Sequence, residues 1–451
     1  MSTQDSNPHS IIRHWPHAAC AVLALGLGLI LHSWVFVIPA DQLPWRGEDD
    51  ACYYYVIAKN VVAGNGPTFD GLSRTNGFHP LWLGVVSAAF AAAPDDDTAL
   101  RVIFALQWLM YVACGFGVGL LSLRTMRPFW AAAAVCLFMS LPTISRAMLS
   151  GMETTLATAC LVAAFCRLAR WLDQPANQRK RGLVTLSVLV AAAMLSRLEC
   201  GLVVPIMAFV MIRATTRESQ ATIRRGPILA LTAMSIAPLT AYLIFSYFYF
   251  GALTPVSGMI KRANARAAVA TLLAEGDYVG LLDRIFALNT PTDGLVTVAA
   301  SQLGLEVSPA LVRGLGFLLL LAPFAIPSLK RRLDTPTRAL FALSIVYVVA
   351  EKCLFYGRSL PLYYLVPLFV AFPPAAALLG QAISDGLFST ARAIREVTSR
   401  RPFFLASIPR LAPAVRAIPA GLCLAGLALC ARHALHRQHG LLTNLDGYHE
   451  S

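Results

Sequence analysis

Residues 227–250 contain no Lys, Arg, Asp or Glu, and similar apolar runs recur along the chain with short basic clusters between them. A helix needs ~20 apolar residues to cross a hydrocarbon core of ~30 Å. In that medium every backbone N–H and C=O must pair within the segment, so the runs dictate an all-α polytopic membrane protein. Composition agrees, since 57% of the 451 residues are hydrophobic and only 14% are charged, whereas soluble domains run near ~25% charged. The formal net charge of +13 does not indicate nucleic acid, because the basic residues form neither a single patch nor a motif-bearing domain. Spaced between apolar runs, they read as a topology signal. Of the ten cysteines none forms a CxxC pair or a zinc spacing, and Cys114, Cys136, Cys160, Cys166, Cys423 and Cys430 fall within apolar segments. There a thiol behaves as a small hydrophobe, and neither metal nor disulfide is implied.

The runs predict about eleven transmembrane helices, near 18–39, 100–123, 129–146, 152–171, 182–197, 199–213, 227–250, 311–328, 338–356, 361–380 and 411–431. The first follows Arg13 and is longer than the ~7–15 residues of a signal h-region, so it reads as an uncleaved signal anchor. Residues 79–93 are apolar but short and end at Pro94-Asp95-Asp96-Asp97. Counted as a span, they put the Arg124/Arg127 and Arg179-Lys180-Arg181 clusters outside. Treated as an interfacial or re-entrant segment, they leave all the basic loops inside with a net charge of about +16. The loops 40–99 and 251–310 then face outward. The basic stretch 384–410 is expected as an interfacial helix against anionic lipid. Residues 1–380 form the main transmembrane unit, and 381–451 form a basic cytoplasmic loop, the last span and a short tail. No repeat of 20–50 residues and no pair of interrupted segments in two halves is present.

The stretch Gly47-Glu48-Asp49-Asp50-Ala51-Cys52-Tyr53-Tyr54-Tyr55 sets three carboxylates just beyond the first span. Tyr54, Ile57, Ala58, Val61 and Val62 continue at helical spacing until Gly64-Asn65-Gly66 stops the run. The acids thus lie at the positive end of an amphipathic helix on the membrane surface. That end favours an ionised acid and crowding favours a protonated one, a combination suited to a general base. A plain helix cap weighs equally from the acids alone. Three acids could also hold a divalent cation, though no ligand spacing compels it. Downstream, Asp70-Gly71 and Asn76-Gly77 mark turns, Phe78 and Trp82 are expected as interface anchors, and His79 stands where the chain re-enters the membrane. Glu153 in Ser150-Gly151-Met152-Glu153-Thr154 opens the fourth span, and an acid there is a functional candidate. Arg197 and Glu199 share a hairpin on the same side, where a structural ion pair competes with a role at the site. Lys261, Arg262 and Arg358 are cations on the outer side, suited to a lipid phosphate or simply to headgroups.

The run Asp49-Asp50-Ala51 with Tyr53-Tyr54-Tyr55, then Ala58-Lys59-Asn60, Gly64-Asn65-Gly66, Phe69-Asp70-Gly71 and Thr75-Asn76-Gly77-Phe78-His79-Pro80-Leu81-Trp82, resembles the C-class polytopic glycosyltransferases. Ser150 to Thr154, Arg197-Leu198-Glu199 and Thr254 to Lys261 resemble a bacterial branch related to arabinofuranosyl- and mannosyltransferases. The resemblance spans roughly residues 20–370. It implies an inverting transfer of a sugar from a polyprenyl-phosphate carrier to an acceptor on the periplasmic face of a bacterial inner membrane. Asp49 would be the base and Asp50 its support. Glu48, Tyr54, Asn76, His79, Glu153, Arg197, Glu199, Lys261 and Arg358 would bind substrate, with Lys261, Arg197 and Arg358 offsetting charge on the leaving phosphate. No cofactor is certain. The glycan, lipid or protein acceptor is unspecified.

Two rival readings fit the same residues. A transporter or lipid flippase could use the same acids and cations, but it predicts polar residues deep in several spans, and 227–250 and 311–328 have almost none. A non-catalytic assembly partner would need the acids only as a cap.

Overall fold

The computed structural model describes residues 8–175, 178–218, 226–278, 280, 318–354 and 366–399. Sixteen helices are labelled here in chain order. They are α1 (Pro8–His32), α2 (Trp34–Val37), α3 (Leu43–Arg46), α4 (Asp49–Val62), α5 (Pro80–Ala92), α6 (Asp96–Leu123), α7 (Pro128–Ser140), α8 (Pro142–Met148), α9 (Thr154–Asp173), α10 (Arg179–Ser196), α11 (Val203–Glu218), α12 (Gly226–Phe250), α13 (Val256–Ala274), α14 (Pro327–Arg332), α15 (Thr335–Leu354) and α16 (Val366–Ser399). No named strand occurs among the described residues, and an isolated antiparallel bridge joins Thr68 to Arg74.

The all-α polytopic architecture is as the apolar runs require. Among the described residues five helices are long and apolar enough to cross a membrane, or six if α7 and α8 count as one bent span. Residues 281–317 and 400–451, with the expected last span 411–431, lie outside the described residues, as does Arg358. Helix α6 is the central post, packed by α1, α7 and α9, while α10 joins α9 to α12, and α16 lies on α7, α9 and α15. Close approach to α6 depends on its glycines. A Cβ on Gly115 would stand 2.6 Å from Met139 Sδ, and one on Gly119 would stand 2.8 Å from Cys20 Cβ. Small residues serve in this way wherever membrane helices pack backbone to backbone.

Three expectations are revised. The run 129–146 is not one rod, because α7 and α8 meet at a 62° bend. Leu141 precedes Pro142 and takes an extended conformation, as the steric demand of the proline ring requires. Second, the stretch beginning at 384 is no separate helix, since α16 runs unbroken to Ser399 despite Pro373 and Pro374. The boundary drawn at residue 380 therefore passes through a helix. Third, Trp82 is fully buried rather than anchored at an interface, and Phe78 is buried too.

Helix α5 has 13 residues, or about 20 Å at 1.5 Å per residue. That is too short for a ~30 Å core, as a re-entrant or interfacial segment requires. It packs on α4, α6 and α10. The bundle has two chemically distinct regions along α6, one at Gln107, which bonds Gly151 and Met152, and one at Arg124, about 26 Å of helix away. Arg124 joins Asp173 (2.6 Å) and Asp334 (2.5 Å) at one end, where Asp385 also pairs with Arg127 and Arg332. At the other end lie the first turn of α4, the start of α5, the start of α9, the α10–α11 turn and the start of α13.

Candidate active site

Helix α4 starts where the sequence places its stop-and-start signals, with Glu48 at the N-cap and Asp49 and Asp50 in the first turn. Its position is set by the loop before α9. The Glu48 backbone N–H donates to Ser150 O at 3.0 Å, and a Cβ on Gly47 would stand 2.5 Å from that oxygen. Gly151 has φ +78°, a left-handed backbone that glycine adopts without strain. Trp82 Nε1 donates to Gly151 O (3.0 Å), Gln107 Nε2 donates to Met152 O (2.7 Å), and Gln107 Oε1 accepts from Gly151 N (3.0 Å). Gln107 is completely buried. It was not singled out from sequence, although a lone amide in the apolar run of α6 is the kind of signal that marks such a clamp.

Between α4, α5, the α9 entrance and α13 opens a cleft of about 510 Å³. Its polar lining includes Asp50, Tyr54, His79, Glu153, Arg197 and Lys261, and its apolar walls include Ile57, Phe69, Phe78, Val256 and Ile260. Asp50 Oδ2 faces Lys261 Nζ at 3.4 Å, and both side chains are one-third exposed. Deeper, Arg197 donates from Nη1 to Glu153 Oε1 (2.7 Å) and from Nη2 to Glu199 Oε1 (3.3 Å). His79 Nε2 lies 3.7 Å from Glu153 Oε1. The Tyr54 hydroxyl accepts from the His79 backbone N–H at 3.0 Å. Arg197 and Glu153 are about 1% exposed, so this pair is desolvated and held by its own geometry. Removing either partner would strand a buried charge.

The surroundings perturb three of these groups. Burial lowers the pKa of His79, against the opposite pull of Glu153 and Glu199, and so favours the neutral imidazole. Burial would raise Glu199, but the Arg197 guanidinium it pairs with offsets this and leaves its carboxyl below the ordinary value. Tyr54 is pushed well up by burial and by the Glu153 charge it faces, so its phenol stays protonated.

Not every expected site residue reaches the cleft. Asp49 is exposed and absent from the lining, and its Oδ1 accepts from the Asp50 backbone N–H (2.9 Å). Glu48 turns away to Arg146 (3.2 Å). Glu199 stands behind Arg197, outside the lining. Asn76 is buried and spends its amide within the protein, donating to Thr254 O (3.1 Å) and Ser246 Oγ (3.2 Å) and accepting from Val256 N (3.1 Å). It ties the loop between α4 and α5 to the start of α13 and lies outside the lining. The three acids of the triplet point to three different places, Glu48 to Arg146, Asp49 to the Asp50 backbone and Asp50 to Lys261. No group of three His, Cys, Asp or Glu able to hold a metal occurs among the described residues.

No protein-family model matches the sequence, and no curated protein matches it. Solved structures do match. The apo oligosaccharyltransferase of Archaeoglobus fulgidus superposes with TM-score 0.55 at 16% identity, covering 94% of this chain and 56% of that one. The same enzyme in complex with Zn and sulfate gives 0.52 at 16% identity, with 92% and 53% covered. ArnT from Cupriavidus metallidurans bound to undecaprenyl phosphate gives 0.51 at 12% identity, with 92% and 74% covered. The fold is shared. At these identities the likeness is one of fold, and the chain spans little more than half the length of the archaeal enzyme.

Proposed function

We propose that the chain is an inverting glycosyltransferase that moves a sugar from a polyprenyl-phosphate carrier to an acceptor at the outer, periplasmic face of a bacterial inner membrane. The observation that carries this reading is the facing of Asp50 and Lys261 at 3.4 Å across a cleft with largely apolar walls, at the end of the bundle opposite the arginine clusters. Positive-inside asymmetry supports an outward cleft. The fold shared with an oligosaccharyltransferase, and with ArnT solved with undecaprenyl phosphate, supports lipid-linked chemistry. The narrower likeness to arabinofuranosyl- and mannosyltransferases rests on the motifs alone.

In this reading the donor phosphate draws the Lys261 ammonium away from Asp50 and leaves the carboxylate free to accept a proton. The acceptor O–H attacks C1 of the sugar, its proton passes to Asp50, a C1–O bond forms, and the bond from C1 to the phosphate oxygen breaks with inversion. Polyprenyl phosphate leaves with its charge offset by Lys261. Asp50 takes the base role in place of Asp49 because Asp50 lines the cleft. Arg197 holds Glu153 and Glu199, so Lys261 is the better placed cation for phosphate.

The test is to incubate purified protein with a panel of polyprenyl-phosphate sugars and an acceptor-rich envelope extract, and to follow released polyprenyl phosphate. Release that depends on the protein supports the transferase. Lipid counterflow in proteoliposomes without any release would replace it with the flippase.

A further inference from the structure

The deep end of the cleft holds more polar capacity than the reaction step uses. Glu153 Oε1 is engaged by Arg197 and approached by His79 Nε2, and the Tyr54 phenol leans on the same carboxylate, but Glu153 Oε2 is left short of a donor at bonding distance, as His79 Nδ1 is of a partner. Both residues line the cleft. A buried carboxylate oxygen with nothing to accept from is costly, and such groups ask for an explanation. His79 Nε2 faces a carboxylate, so the imidazole proton belongs on that nitrogen, and Nδ1 then presents a lone pair. Two carboxylates, Glu153 and Glu199, also share the single guanidinium of Arg197. The deep end therefore offers acceptors and carries excess negative charge, which attracts hydroxyl donors and repels a phosphate.

We infer that Glu153 Oε2 and His79 Nδ1 form a polyol subsite that accepts hydrogen bonds from hydroxyls of the transferred sugar. By the same charges it turns the carrier phosphate toward Lys261. The inference rests on the transferase reading and supplies what that reading lacks, a determinant of which end of the donor enters first. Hydrogen bonds from hydroxyl to carboxylate are charge-assisted and stronger than neutral ones, and a site built to bond a hydroxyl discriminates sharply against a ligand that lacks it.

The experiment measures binding rather than turnover. Full-length protein is titrated with a polyprenyl-phosphate hexose, a polyprenyl-phosphate pentose and bare polyprenyl phosphate, for wild type, Glu153→Gln and His79→Phe. Wild type should bind at least one sugar-bearing lipid about tenfold more tightly than the bare lipid. Both variants should lose most of that ratio, while affinity for the bare lipid stays within about twofold in His79→Phe and is not weakened in Glu153→Gln. If Glu153→Gln does not fold, His79→Phe carries the test, because it leaves the pairing of Arg197 with Glu153 and Glu199 intact. A ratio retained in the folded variants, or absent from wild type, overturns the subsite. A variant-sensitive ratio in a protein that releases no lipid phosphate would leave the subsite standing and remove the transferase.

Discussion

Adding one methyl group at Gly151 should disable the site from a position that touches no substrate. The residue sits at φ +78°, and a Cβ there would fall on the Tyr55 hydroxyl and 2.7 Å from Ala51 Cβ. Ala51 and Tyr55 are both buried on α4, so neither can swing clear. The left-handed backbone costs a non-glycine residue about 1–2 kcal/mol, and overpacking a filled site costs about 1–3 kcal/mol. Gly151→Ala should therefore lose about 2–5 kcal/mol. Part of it would be relieved by pushing α4, and with it Asp50, away from Lys261. Thermal unfolding of detergent-purified protein reads the first effect and lipid-phosphate release reads the second. The Tyr55 hydroxyl is buried without a hydrogen-bond partner, so Tyr55→Phe alone should be nearly neutral. In the double variant it should restore about 1 kcal/mol, an interaction that a double-mutant cycle isolates. The Ala51 contact remains and keeps rescue partial. Wild-type stability in Gly151→Ala, or no coupling to Tyr55→Phe, would refute the packing argument.

Three further outcomes follow from the same geometry. Asn76→Ala removes the buried amide that ties the first loop to residues 252–256 and should cost about 2–3 kcal/mol; limited proteolysis should show earlier cleavage near the start of α13. Arg124→Ala opens the pairs with Asp173 and Asp334 at the far end, and because Asp173 is more than half exposed the loss should not exceed about 1 kcal/mol for that pair, with lipid-phosphate release unchanged. Acidification should lower the unfolding temperature in two stages. His79 is held below its ordinary 6.5, so the unfolded chain takes up that proton first, and stability falls as pH drops below 6.5. Glu199 is held below its ordinary 4.5, so its contribution is lost only below that value. Unfolding measured from about pH 4 to 8 should lose the upper stage in His79→Phe.

The membrane fold was legible because it is written in composition and run length, which the bilayer enforces residue by residue. The same is true of α4, whose acids, helical spacing and Gly64 stop are local signals. The cleft was legible as a set of residues sharing one end, since Asp50, Tyr54, His79, Glu153, Arg197 and Lys261 converge there. Which of two adjacent acids faces inward was not. Asp49 and Asp50 differ by one position, about 100° of helix, and only the packing of α4 on Gly151 and α5 decides the rotation. Asn76 read as a ligand contact because its polar type fits either role, and its backbone partners lie some 180 residues further along the chain. The bend at Leu141–Pro142 and the unbroken course of α16 through Pro373 and Pro374 show the converse. A proline marks a weak point, but tertiary contacts determine whether the helix bends there.

The most direct measurement compares release of polyprenyl phosphate by purified wild type, Asp50→Asn and Asp49→Asn, with unfolding temperatures taken alongside. A positioned base contributes about 10²–10⁴-fold. Asp50→Asn should therefore lose release by at least the lower figure at unchanged stability, while Asp49→Asn keeps most of it. Full release by Asp50→Asn, with loss confined to Asp49→Asn, would contradict the account.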